Sequence, residues 1–352
     1  MKIKLLEYYI SKNKLYAFLF SKDPSISKVA ILPIDLGVLN LNTINLLSYI
    51  DGTSPFPPCE NPDPDQWQPF SDEWGKELFE GFIEDLKDTD LLYIVPHRFL
   101  HKLPLHAVRI DGKYLCEMCK VCYAPSPSLL KRCQLQNKAR MPNSKYEPNI
   151  CLSIGCDNQS ANPANRKQFC DYARGIGNMF SSKSILTEFC PLLEGEEAAS
   201  VNRIEEKCLN MNPDLISFFC HGMFNRDNPL ASLLSLPPKG LTALDIMTKI
   251  QIDASLVTLI ACTSATPEIR SGDELYSLAM AMIFSGAASV TGSLWRAWVP
   301  AASIFFKKFI SSWKSGIPKA AAFNEAQMEL LHNTQFSHPH YWSPYILVGD
   351  WI

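Results

Sequence analysis

The chain has 352 residues, enough for one large domain or two modest ones, each burying its own core. Its 33 Lys and Arg nearly cancel 36 Asp and Glu, so no overall field draws in a polyanion, and direct nucleic-acid binding is not expected. The opening MKIKLLEYYISKNKLYAF interrupts each short apolar run with charge, unlike a signal peptide, and no later stretch is long and apolar enough for a membrane span. The expectation is a soluble, cytoplasmic protein that makes no membrane contact.

In chain order, KIKLLEYYI, KLYAFLF and VAILPID read as strands of a meander at a sheet edge. Five prolines between Gly52 and Trp67 predict a surface loop there. Ser71-Asp72-Glu73 begins a helix with acidic residues in its first turn, followed by the buried strand LLYIVP. The proline and serine cluster APSPSLL and the polar stretch after it place a boundary between two halves, residues 1–140 and 141–352.

The second half alternates: ICLSIG, a helix from about Asn165, SILTEF, a helix over EEAASVNRIEEKCL, LISFFC, a helix near LTALDIMTKI, and SLVTLIAC. A helix from Asp273 to Phe284 closed by Gly286, the strand AASVTGSLW, two further helices and YILVGDW complete it. Such alternation predicts an α/β fold with a mostly parallel sheet and helices on both faces.

Two strand ends carry the chemistry. LISFFC stops at His221-Gly222, and LVTLIA stops at Cys262-Thr263-Ser264, the carboxyl-terminal positions at which open α/β sheets place functional groups. The interval between them accommodates one crossover helix, so parallel neighbours would deliver the imidazole and the thiol to one edge. There His221 can take the thiol proton near neutral pH and leave Cys262 as the nucleophile toward an amide. The backbone N–H groups of Gly222 and Cys262 are candidate oxyanion donors.

These segments resemble the CHAT family of caspase-like peptidases, related to separase: Phe219-Cys220-His221-Gly222, Asn228-Pro229-Leu230-Ala231-Ser232 and Leu259-Ile260-Ala261-Cys262-Thr263-Ser264. Ile94-Val95-Pro96, Leu100-His101-Lys102-Leu103-Pro104, Tyr123-Ala124-Pro125-Ser126, Ser293-Leu294-Trp295 and Val348-Gly349-Asp350-Trp351 are similar as well, in family order. The resemblance implies a caspase-like three-layer α/β/α fold whose first half lacks a dyad and packs on an active second half. It implies His221 as base, Cys262 as nucleophile, and Gly222 with Cys262 at the oxyanion hole. It further implies a specific protein substrate, a regulatory subunit or processing event as the control, and a prokaryotic, antiviral defence setting.

Relatives seat a charged P1 side chain against an opposite charge. The corresponding stretch here, Trp295-Arg296-Ala297-Trp298-Val299-Pro300, holds no carboxylate, and Ile260 precedes the nucleophile by two positions. Ile260, Ser293, Trp295 and Trp298 are therefore the S1 candidates, favouring an uncharged, apolar P1 residue.

Other features point elsewhere. Cys116, Cys119 and Cys122 have metal-like spacing but lack a second ligand pair, and no Walker-type loop is present, so neither metal nor cofactor is expected. Most of the twelve cysteines are expected to be reduced and buried. The polar loop Thr263 to Gly272 is the expected movable element beside the nucleophile. A rival from another class is a catalytically silent module that binds an extended peptide without cutting it.

Overall fold

Strand-forming runs from both halves of the sequence meet in one twelve-stranded sheet among the described residues. The computed structural model describes residues 1–50, 64–140, 147–188, 192–261, 264–265, 268–270 and 274–352. The first half supplies β1 (Ile3–Ser11), β2 (Lys14–Ser21), β3 (Lys28–Leu32), β4 (Leu91–Val95) and β5 (Lys120–Tyr123). The second half supplies β6 (Ile150–Cys156), β7 (Ser182–Thr187), β8 (Glu196–Ala198) and β9 (Leu215–Cys220). It then adds β10 (Leu256–Ile260), β11 (Ser289–Ser293) and β12 (Tyr345–Gly349).

The spatial order is β8-β7-β6-β9-β10-β11-β12-β5-β4-β1-β2-β3. Pairing is parallel except at β11–β12, β1–β2 and β2–β3. The sheet is thus mostly parallel, and its middle strands read as continuous apolar runs because both faces are covered. Every residue of β4, β9, β10, β11 and β12 is buried.

The main helices are α1 (Leu36–Ile50), α2 (Pro64–Phe79), α3 (Pro127–Arg140), α4 (Pro163–Gly177) and α5 (Val201–Met211). They continue with α6 (Ala243–Lys249), α7 (Leu278–Ser285), α8 (Val299–Lys314) and α9 (Lys319–Leu331). Local chemistry sets several starts. The Asn162 side chain accepts from Ala164 N–H ahead of α4, Ser200 caps α5, and Thr242 with Asp245 forms a capping box on α6. Gly286 ends α7 at φ +120°, and a Cβ there would lie 2.0 Å from the Ile252 carbonyl oxygen, so both conformation and space require glycine.

Three differences from the sequence reading have local causes. Helix α1 was not anticipated, because its buried stripe of Leu39, Thr43 and Leu46 includes a polar residue and its remaining positions mix Asn with apolar residues. Helix α2 begins at Pro64, ahead of the expected Ser71, since proline is tolerated in a first helical turn. Trp67 is accordingly buried against Trp295 and His338, not exposed on a loop, while residues 51–63 of that expected loop lie outside the described residues. Helix α7 begins at Leu278, with Ser277 accepting from Met280 N–H, and Glu274–Tyr276 pairs as a strand with Glu268–Arg270. The helix start expected at Asp273 lies outside the described residues.

Candidate active site

Parallel strands β6, β9 and β10 are immediate neighbours, with Cys156 opposite Cys220 and Phe219 opposite Ile260. One polar residue follows each of the first two strands: Asp157 after β6 and His221 after β9. The side chains meet, with His221 Nε2 2.9 Å from Asp157 Oδ1. Asp157 is buried, whereas the His221 ring keeps 32% of its surface exposed, so the pair has a protected end and a solvent-facing end.

The carboxylate is fixed by its own loop. Asp157 Oδ1 accepts the N–H of Gln159 at 3.2 Å and of Ser160 at 2.9 Å, in addition to the imidazole. A carboxylate only accepts, so the nitrogen that faces it carries the proton, and Nδ1 is left as the basic nitrogen. Phe169 of α4 packs its ring 5.1 Å from that of His221 and 4.5 Å from Phe219, which steadies the imidazole from the helical layer.

The segment after His221 is tied to the same loop. Ser235 N–H donates to the His221 carbonyl at 2.8 Å, and the Ser235 hydroxyl donates to Asn158 Oδ1 at 2.7 Å. Gly222, the candidate oxyanion donor, is partly buried and pairs with Leu234 in a small antiparallel sheet.

Cys262 and Thr263 lie outside the described residues, as does half of the loop expected to move. The chain on either side is fixed: Ile260 and Ala261 are buried, and Ser264 and Ala265 are pinned to the end of β11. Ser264 Oγ donates to the Leu259 carbonyl at 3.2 Å and accepts Ser293 N–H at 3.1 Å, while Ala265 N–H donates to the Ser293 carbonyl at 3.0 Å. Gly292 permits this approach, because a Cβ on it would sit 2.9 Å from the Ala265 Cβ and 3.0 Å from Ser264 Oγ.

The four S1 candidates separate. Ile260, Ser293 and Trp295 are buried, the Ser293 hydroxyl donates to the Trp295 carbonyl at 2.5 Å, and Trp295 Nε1 donates to the His340 carbonyl at 3.4 Å. Trp298 is exposed at the start of α8. A separate apolar groove of about 390 Å³ between α3, α6 and α7 is lined in part by Leu129, Leu230, Met247 and Met280.

Elsewhere, the His338 side chain caps a short helix at residues 339–342 that contains His340, and Cys116, Cys119 and Cys122 are buried. The nine cysteines among the described residues are all buried and none is in a disulfide. Asp157 is the functional candidate that the sequence reading missed. Its signal was the one used for His221, a polar residue closing a buried strand, here ICLSIGC.

A family model described as "CHAT domain" matches residues 72–350. Human tetratricopeptide repeat protein 28 is 32% identical over 122 residues, a stretch covering 35% of this chain and 5% of that protein, and the mouse protein is 31% identical over the same length. The chain thus matches only a small part of these curated relatives. Among solved structures, the Saccharomyces cerevisiae separase–securin complex superposes with a TM-score of 0.68 at 9% identity, covering 99% of this chain and 30% of the matched one. The Arg-specific cysteine proteinase gingipain R gives a TM-score of 0.50 at 11% identity, covering 82% of this chain and 68% of that one. The α/β architecture is therefore that of caspase-like cysteine peptidases.

Proposed function

Because the chain belongs to the CHAT domain family, we propose that it is a cysteine endopeptidase that cuts a specific protein partner, with Cys262 as nucleophile, His221 as general base and Asp157 as the group that orients His221. The observation that carries this reading is the 2.9 Å contact between His221 and buried Asp157 at the end of β9, beside the strand that leads into Cys262. His221 and Cys262 each follow by two positions a register pair, Phe219 and Ile260, which supports pairing the two residues in one mechanism, and the imidazole's tautomer is already set by Asp157.

In this mechanism Nδ1 of His221 takes the Cys262 proton, and the thiolate adds to the scissile carbonyl. Backbone N–H groups of Gly222 and Cys262 hold the oxyanion, and His221 returns the proton to the leaving amine. Water then releases the acyl group from sulfur, with His221 again the base. The first half, residues 1–140, serves as a packing layer without a dyad.

The P1 residue is uncharged. The Ser293 hydroxyl is committed to the Trp295 carbonyl, and Trp298 offers an aromatic surface to solvent where no carboxylate follows β11. A basic P1 side chain would be desolvated without a partner. Cleavage profiling of a peptide library is expected to return apolar P1 residues, and dominance of Arg or Asp would overturn the assignment. Control rests with a partner subunit or with processing, acting on the 263–272 segment, and a prokaryotic defence role is the setting that fits such control.

The deciding test incubates wild type and Cys262→Ala with candidate partner proteins and reads fragments by mass spectrometry. The substitution is expected to lower cleavage by at least about 10³-fold. Equal cutting by both would remove Cys262 from the mechanism, and tight binding with no fragments from wild type would instead identify a peptide-binding module.

A further inference from the structure

Ile3, Leu5 and Glu7 of β1 are half-buried, but along β2 and β3 only one face is covered. On that face Leu6, Tyr8, Leu15, Ala17 and Leu19 are buried, and the Tyr8 hydroxyl donates to the Leu78 carbonyl of α2 at 2.9 Å. The opposite face presents Tyr9, Tyr16, Phe18, Phe20, Val29 and Ile31, which the strand register places side by side: Tyr9 opposite Tyr16, Phe18 opposite Val29, and Tyr16 opposite Ile31. Tyr9, Phe20, Val29 and Ile31 are 51%, 44%, 64% and 57% exposed, a contiguous apolar area of a kind that marks interaction sites.

The neighbouring part of this face shows what belongs there. Tyr93 of β4 is the register partner of Leu5, so both point to this side, and Tyr93 is buried with the Gln134 side chain of α3 near it. The helical layer therefore continues as far as α3 and stops short of β1. Lys131 and Lys138 lie one turn to either side of Gln134 on the same flank of α3, and both are exposed with no ion pair among the described residues. Lys14 adds a third exposed cation on the face itself, where the one carboxylate, Glu7, has its pKa raised by burial and so is easier to neutralise than an ordinary one.

We propose that the bare face of β1, β2 and β3 is the docking surface for an amphipathic α-helix of a partner protein, which lies alongside α3 with an aliphatic contact stripe and an acidic flank turned toward Lys131 and Lys138. The shape follows from the missing segment of a helical layer, and the charge from the cationic border. This site is separate from the His221 edge and does not depend on any peptidase activity.

The test uses the full chain and two synthetic helical peptides with the same Leu stripe, one flanked by Glu and the other by Lys, read by fluorescence anisotropy. The Glu-flanked peptide is expected to bind at least about tenfold more tightly than the Lys-flanked one. The double variant Val29→Asp/Ile31→Asp should weaken it by a similar factor. Lys131→Glu/Lys138→Glu, which leaves the apolar surface intact, should reverse the preference between peptides. Equal affinity for both peptides, no binding of either, or binding indifferent to both variants would overturn the proposal. So would a wild-type dimer in sedimentation that Val29→Asp/Ile31→Asp dissolves, since a second copy would then cover the face.

Discussion

Each half of the sheet contains a fully buried parallel strand that runs into a histidine: β4 into Pro96-His97 in the first half, β9 into His221 in the second. Their surroundings differ. His97 Nδ1 accepts the backbone N–H of Ile10 at 3.1 Å, and its ring packs 4.9 Å from Tyr9. Beside β4, β5 runs into Ala124-Pro125, and β1 continues past the Glu7–Val95 pair through Tyr8 and Tyr9 without placing an acid or thiol level with His97. His221 instead has Asp157 closing one neighbouring strand and Cys262 soon after the other. A strand-end histidine is therefore not enough for a site. On the proposed mechanism, the residues that close the strands on either side decide whether it holds the backbone or moves a proton.

Three measurements break or sharpen this contrast. The largest effect is expected from Asp157→Asn, which removes the carboxylate acceptor and frees the imidazole to adopt the other tautomer. Cleavage should fall on the order of 10²–10⁴-fold with an altered pH–rate profile and little change in melting temperature. An unchanged profile would reduce Asp157 to a packing residue.

Next is acid lability, to which each half contributes one buried histidine. Burial holds His106 down to about 3, and burial with the neighbouring His338 holds His340 down to about 4. Both folded values lie below the ordinary value near 6.5, so the unfolded chain binds the extra protons. Their stability contribution is present above about pH 6.5 and is lost as pH falls toward 4 and then 3, at roughly 1.4 kcal/mol per pH unit for each. Asp350, whose carboxyl is raised by burial, acts in the opposite sense. Urea unfolding at pH 7 and pH 5 should show a net loss of a few kcal/mol, roughly 2–4. His106→Gln and His340→Gln should each flatten that slope, and a slope unmoved by both would assign acid lability to other groups.

The smallest effect is that of His97→Ala, which removes an acceptor from Ile10 N–H. It should cost about 1 kcal/mol in stability and leave cleavage nearly unchanged. A loss of cleavage comparable to that of Asp157→Asn would erase the distinction between the two histidines.

The strand pattern was largely legible in the sequence because β4, β9, β10 and β12 are short apolar runs bounded by turn residues, and burial on both faces is what such runs record. His221 was legible for the same reason: it breaks the run. Asp157 was not singled out, because its role depends on which strands are neighbours, and the β6–β9 pairing joins segments with a strand pair and two helices between them in sequence. Helix α1 was hidden by Thr43, whose hydroxyl donates to the Leu39 carbonyl at 2.8 Å and so lets a polar side chain sit in a buried stripe. The S1 candidates came from the residue two before the nucleophile and from the stretch at the end of and after β11, and sequence position cannot say that Trp295 turns inward while Trp298 turns out.

Strand β12 lies at the middle of the sheet, antiparallel to β11 and parallel to β5, although its residues follow every other strand in the chain. During synthesis, then, the five strands of the first half and the six that follow can each begin to associate, but their seam waits for residues 345–349. Ribosome-bound intermediates that stop short of this strand would present two open sheet edges, one of β5 and one of β11, and the order of translation itself delays the joining of the two layers.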